Sequence, residues 1–112
     1  MKRALFIGRW QPLHDGHRWL FNQKLEQDIP LLIAVRDTPV SVSNPFSTKQ
    51  VIENLEKEYT KEVGNGMVKI ISIPDIESVN YGRGVGYEIN EYTPPEDISK
   101  ISATEIRKNL KK

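Results

Sequence analysis

Three short apolar runs constrain this chain more than any other feature: Ala4-Leu5-Phe6-Ile7, Leu31-Leu32-Ile33-Ala34-Val35 and Val68-Lys69-Ile70-Ile71-Ser72-Ile73. Each is rich in Ile, Val, Leu or Phe and is bounded by glycine, proline or charge. Runs this short, little broken by polar residues, suit strands of a parallel sheet covered on both faces. Between them lie segments of helical period. Over 13–27, Leu13, His17, Leu20, Phe21 and Leu25 share one helix face, and over 48–59 Val51, Ile52, Leu55 and Tyr59 do the same. The second segment also spaces Lys49, Glu53 and Lys57 as a surface helix would, and Ser47 with Gln50 makes a capping box at its start. Gly64-Asn65-Gly66 breaks the chain before the third run.

Strand, helix, strand, helix, strand is the order of an α/β fold. It predicts a Rossmann-like, doubly wound parallel sheet with right-handed crossovers, forming a single domain over 1–112. Beyond Pro74, residues 79–81 and 85–89 are expected as further short strands about a glycine turn. Residues 92–100 hold Pro94-Pro95 and suit a loop, and 102–110 suit a closing helix with Ile106 and Leu110 inward.

Charge and cysteine content then narrow the chemistry. Lys and Arg number 16 against 15 Asp and Glu, a formal charge of +1, which argues against coating nucleic acid or an anionic membrane. Cysteine is absent, which excludes disulfides, thiolate metal sites and cysteine nucleophiles. No apolar run approaches the ~20 residues that span a bilayer, and the first run is too short for a signal peptide. A cytoplasmic protein is expected.

The densest chemistry lies in Gly8-Arg9-Trp10-Gln11-Pro12-Leu13-His14-Asp15-Gly16-His17, where the first strand gives way to the first helix. In an open parallel sheet this carboxyl edge is where ligands bind. Helix N-termini there present free N–H groups and the positive end of the dipole, so anions are held well. His14 and His17, three apart, can both donate to a phosphate oxygen, and Gly16 between them lets backbone come close. They can also be ordinary surface or capping residues, or a metal pair. The chain holds only these two histidines and no cysteine to complete a metal site.

A second stretch, Ile101-Ser102-Ala103-Thr104-Glu105-Ile106-Arg107, is explained in part by capping: Ser102 with Glu105 as a box, Ile101 with Ile106 as a staple. Thr104 and Arg107 are left over. An arginine in a first helical turn opposes the dipole and suggests an anionic partner. A third stretch, Tyr81-Gly82-Arg83-Gly84-Val85-Gly86-Tyr87, permits tight turns but is not a dinucleotide fingerprint, since it does not follow the first strand. Arg36-Asp37-Thr38 and Asn44-Pro45-Phe46 suit loop segments after the second strand.

The first two motifs together resemble those of the nucleotidylyltransferase superfamily. Gly8 to His17 resembles GRFQPxHxGH, and Ile101 to Arg107 resembles ISxTxIR. Asn44-Pro45-Phe46 resembles the NPF segment of archaeal-type adenylyltransferases. Residues 34–38 with 81–87 look like small cytidylyltransferase-like domains, some of them fused to adenylylsulfate kinase-like domains. The resemblance implies transfer of a nucleoside monophosphate from an NTP to a small phosphate monoester, releasing pyrophosphate. It implies that His14, His17 and Arg107 are catalytic, and that Gly8, Arg9, Gln11, Gly16, Arg83, Ser102 and Thr104 bind nucleotide. Magnesium would be bound through the phosphates, with no metal ligand from the protein. Trp10 stands where Phe is usual, and Leu13 where another Phe is common. The span from Ile76 to Tyr87 is shorter than in mononucleotide adenylyltransferases. That shortness favours a smaller phosphorylated alcohol as acceptor, with CTP slightly preferred over ATP. The alternatives are an adenylyltransferase of the nicotinamide-mononucleotide type and a non-catalytic nucleotide-binding or regulatory module. A homodimer would extend so small a core.

Overall fold

A computed structural model describes residues 2–84 and 86–93. Strand β1 spans Ala4–Gly8, helix α1 Asp15–Leu25, β2 Leu31–Asp37, α2 Thr48–Glu58, α3 Thr60–Gly64 and β3 Val68–Pro74. All three strands are parallel, in the order β1-β2-β3. The alternation of elements is as the sequence predicts, and the sheet is α/β and Rossmann-like. Helix α2 begins on its expected capping box: Ser47 Oγ accepts from Gln50 N at 3.1 Å, and Gln50 Oε1 accepts from Ser47 N at 2.8 Å.

The register sorts the strand residues into two faces. Ala4, Leu31 and Val68 lie side by side, as do Phe6, Ile33 and Ile70. This face carries the core, where Phe6, Leu31, Ile33, Val35 and Val68 pack with Phe21 of α1 and with Val51 and Leu55 of α2. Phe21 contacts Phe6 and Tyr59 edge-on, at 5.3 and 5.8 Å between ring centroids. Arg18 of α1 also pairs with Glu58 of α2 at 2.7 Å. Both helices therefore cover the same face. Fully burying a side chain such as Phe21 stabilises the fold by roughly 1.5–3 kcal/mol.

The opposite face holds Leu5, Ile7, Leu32, Ile71 and Ile73, none of which belongs to that core. Leu5 is 55% exposed. Among the described residues no helix covers this face, although Ala34 at its centre is buried. The expected second winding and the closing helix over 102–110 fall outside the described residues.

Other expectations shift in detail. α1 starts at Asp15, not Leu13, because His14 is its N-cap in extended conformation. Its C-terminal turn reverses at Asp28, whose φ of 58° is one that aspartate tolerates. Arg36 and Asp37 belong to β2 and are not loop; Arg36 pairs with Asp75 at 2.6 Å, and Asp37 accepts from Thr48 Oγ1 at 2.8 Å. The short α3 was not expected. Lys49, Glu53 and Lys57 make no ion pair among the described residues; long surface side chains gain little from such pairing. Residues 79–81 form no strand, nor do 86–89, the described part of the second expected strand. Glycines at 82, 84 and 86 carry no side chains that would hold a strand in register, and Gly84 and Gly86 take positive φ. No helix among the described residues is long and apolar enough to cross a membrane.

One packing contact sets the end of β1. A Cβ on Gly8 would lie 2.9 Å from Trp10 Cε2 and Cζ2. Trp10 is 6% exposed, has a φ of 52°, and donates from Nε1 to Ala34 O at 3.3 Å. Its six-membered ring occupies the space that any other residue at position 8 would fill. Gly8→Ala should therefore destabilise the protein by about 1–3 kcal/mol in denaturant unfolding. Trp10→Phe withdraws the clashing atoms, so the same change made in that background should cost much less. Equal costs in both backgrounds would contradict the contact.

Candidate functional site

Where β1 ends and α1 begins, two imidazoles lie stacked, with ring centroids 3.8 Å apart and planes inclined at 19°. The local chain dictates this. His14 is the N-cap of α1, and its Nδ1 accepts from Gly16 N at 3.1 Å. His17, one turn on, returns its Nδ1 to His14 N at 3.3 Å. The pair thus does what Ser and Glu do in an ordinary capping box. His17 also stands edge-on to the Trp10 indole, at 4.9 Å. Gly16 is buried beneath them.

The tautomer follows from these bonds. A ring nitrogen that accepts a backbone N–H carries no proton, so each neutral imidazole holds its proton on Nε2. Among the described residues neither Nε2 has a hydrogen-bond partner. Two N–H donors thus stand together at a helix N-terminus, on the carboxyl edge of a parallel sheet. The arrangement suits an anion.

Electrostatics favours the neutral rings. Burial lowers the His17 pKa to about 3, aided by the nearby charges of His14 and Arg18. His14 is lowered too, by burial and then by Arg18, with Asp15 opposing. Protonating either Nδ1 would also set two N–H donors against each other and break the cap.

Arg9 and Gln11 lie in the turn between β1 and α1. Arg9 donates from Nη1 to Asn44 Oδ1 at 3.1 Å. Gln11 is 3% exposed, and its amide donates to Phe46 O at 2.8 Å and accepts from Phe46 N at 3.0 Å. Gln11, expected as a nucleotide ligand, is thereby engaged in fastening the β2–α2 loop. Gly8, expected to admit the nucleotide, makes room for Trp10. Thr38 Oγ1, buried at the end of β2, is without a hydrogen-bond partner among the described residues.

The structure thus gathers Gly8, His14, Gly16 and His17 at one corner through Trp10 and the helix cap, and ties Arg9 and Gln11 to the β2–α2 loop. No hydrogen bond or ion pair among the described residues joins Arg83 to Arg9, His14 or His17. The loop around Arg83 instead curls about its own concavity of about 500 Å³, lined by Tyr81, Arg83, Tyr87 and Glu88 among others, with both tyrosines exposed. Ser102, Thr104 and Arg107 lie outside the described residues. Sequence reasoning missed Asn44 and Phe46 as parts of the site. The signal was their resemblance to an NPF segment.

Comparison with known proteins finds no matching family model. It does find the nicotinamide-nucleotide adenylyltransferase of Saccharolobus solfataricus, 32% identical over 102 residues, which cover 88% of this chain and 57% of that protein. The enzyme of the same name from Methanococcus aeolicus is 35% identical over 98 residues, covering 86% and 54%. That from Thermococcus sibiricus is 32% identical over 77 residues, covering 66% and 41%. The chain spans about half the length of the curated relatives it matches. With these relatives and the two motifs, the chain belongs to the nucleotidylyltransferase superfamily.

The pKa shifts imply a pH dependence with a definite sign. Folding disfavours the charged imidazoles, so below the ordinary value of 6.5 the unfolded chain binds more protons, down to about pH 3 for His17. Stability is then complete above pH 6.5 and lost as pH falls, by roughly 1.4 kcal/mol per pH unit for a single fully shifted group. Denaturant unfolding from pH 7 to 4 checks this against His17→Asn, whose Oδ1 keeps the cap acceptor but does not titrate. The variant's pH curve should be flatter than the wild type's. Parallel curves would contradict the shift.

Proposed function

We propose that this member of the nucleotidylyltransferase superfamily transfers the adenylyl group of ATP to a mononucleotide-type phosphate monoester, with nicotinamide mononucleotide as the first candidate acceptor. The paired Nε2–H donors at the N-terminus of α1 carry this proposal. An acceptor phosphate oxygen would attack the α-phosphorus of ATP. The bond from that phosphorus to the β-phosphate bridging oxygen would break, releasing pyrophosphate. Negative charge moves onto the leaving group, and fixed neutral donors at a helix N-terminus stabilise it without rearranging. His14 and His17 would serve in that role as electrostatic partners and not as bases, since their Nδ1 atoms are held by the cap. Arg9 would add a positive charge beside them. Ser102, Thr104 and Arg107 are proposed, from their motif alone, to hold the departing phosphates.

Magnesium would be held by phosphate oxygens and shield their charge during transfer. Among the described residues no cluster of three His, Asp or Glu side chains offers an ion its own site. The names of the relatives support ATP and a nicotinamide nucleotide over CTP and a phosphorylated alcohol, the order expected from the short 76–87 span. That span is an argument about pocket size. The relatives' names bear on the nucleotide itself.

Pyrophosphate release tests the proposal, with ATP or CTP offered against nicotinamide mononucleotide or a phosphorylated alcohol. ATP with the mononucleotide should turn over fastest. CTP with the alcohol turning over fastest would restore the cytidylyl alternative, and no release with any pair would favour a binding module. His17→Ala would confuse cap and chemistry, because His17 does both. His17→Asn keeps the cap acceptor and removes the Nε2–H donor. It should fold normally at neutral pH yet lose on the order of 100-fold in kcat/KM. Unchanged kcat/KM in His17→Asn and in His14→Asn would remove the histidines from the reaction.

A further inference from the structure

We infer that Asn44 is a positioning residue, whose carboxamide, held in place by the turn with Ser41, keeps the Arg9 guanidinium ready for the phosphates of the nucleotide. The inference rests on the phosphate-site proposal above. Asn44 sits in the loop between β2 and α2, far from Arg9 in sequence, yet its Oδ1 accepts from Arg9 Nη1 at 3.1 Å. An amide has one acceptor end and one donor end; the guanidinium, which only donates, takes the acceptor end and leaves the donor end to Ser41. Asn44 Nδ2 donates to Ser41 Oγ at 3.4 Å, and Asn44 N donates to the same hydroxyl at 3.2 Å. The turn is closed by Ser41 N donating to Asn44 O at 2.9 Å and Asn44 N to Ser41 O at 3.2 Å. The loop itself is fastened to the β1–α1 turn two residues further on, by the two bonds between Gln11 and Phe46.

The chemistry of this arrangement is specific. A free arginine side chain must surrender rotamer entropy of up to ~2 kcal/mol when it engages a ligand. Ordering it beforehand removes part of that cost from binding. An amide oxygen uses one of the five guanidinium N–H groups and leaves the positive charge whole. A carboxylate at the same place would hold the arginine more tightly but cancel its charge beside an incoming anion. Asparagine is the side chain that orders without neutralising.

Calorimetric titration of the full chain with inorganic pyrophosphate tests this, with thermal unfolding confirming that each variant folds. Arg9→Ala should weaken binding at least tenfold. Asn44→Ala should weaken it three- to tenfold, and Asn44→Asp more than Asn44→Ala, although aspartate keeps the acceptor. In the Arg9→Ala background, Asn44→Ala should have no further effect. Equal losses from Asn44→Ala with and without Arg9, or Asn44→Asp binding as well as wild type, would overturn the positioning role alone. No loss on Arg9→Ala would overturn the phosphate-site proposal and this inference with it.

Discussion

The carboxyl edge of this sheet depends on one aromatic side chain. The Trp10 indole fills the space left by the missing side chain of Gly8, stands against Phe21 at 5.0 Å, bonds the carbonyl of Ala34 on β2, and backs the His17 ring. It thereby ties β1, β2 and α1 into one corner. The backbone at Trp10 takes a left-handed φ that a non-glycine residue adopts only where its surroundings repay the strain. Here burial of the largest natural side chain does so. The stacked imidazoles are placed against that corner through His17.

On this base the histidines combine two duties that are usually separate. As caps they satisfy backbone N–H groups that a helix start leaves bare. In doing so they present the opposite nitrogen, protonated and neutral, toward the edge. Burial, with the Arg18 charge and for His17 also His14, disfavours their charged forms, so in the proposed function the pull on anions would come from oriented dipoles, with Arg9 as the fixed charge. In the proposed function such a site would hold phosphate without a protonation step. It also leaves both histidines ill suited to act as general bases.

Much of this was legible in the sequence, for identifiable reasons. The apolar runs at 4–7, 31–35 and 68–73 mark the strands because parallel strands need short β-branched stretches bounded by breakers. Ser47 and Gln50 announce α2 because their capping geometry is local. His14 and His17 were legible as a ligand pair or as capping residues, but their reciprocal capping box was not, since the sequence pattern of that box is Ser or Thr with Glu or Gln. The Gly8–Trp10 contact, the Gln11–Phe46 bonds and the Arg9–Asn44 bond were not legible. They join positions distant in sequence or depend on an unusual backbone angle, and neither leaves a periodic trace. The same holds for the exposure of Leu5, because alternation is hidden when both faces of a strand are apolar.

The central claim is that both imidazoles are neutral, protonated on Nε2, and face a phosphate. With only two histidines in the chain, ¹⁵N-resolved NMR of the imidazoles addresses it without ambiguity. At pH 7 both rings should show a bare Nδ1 and a protonated Nε2, and adding pyrophosphate should move both Nε2–H signals while leaving the Nδ1 state unchanged. A ring protonated on Nδ1, or signals indifferent to pyrophosphate, would contradict the account.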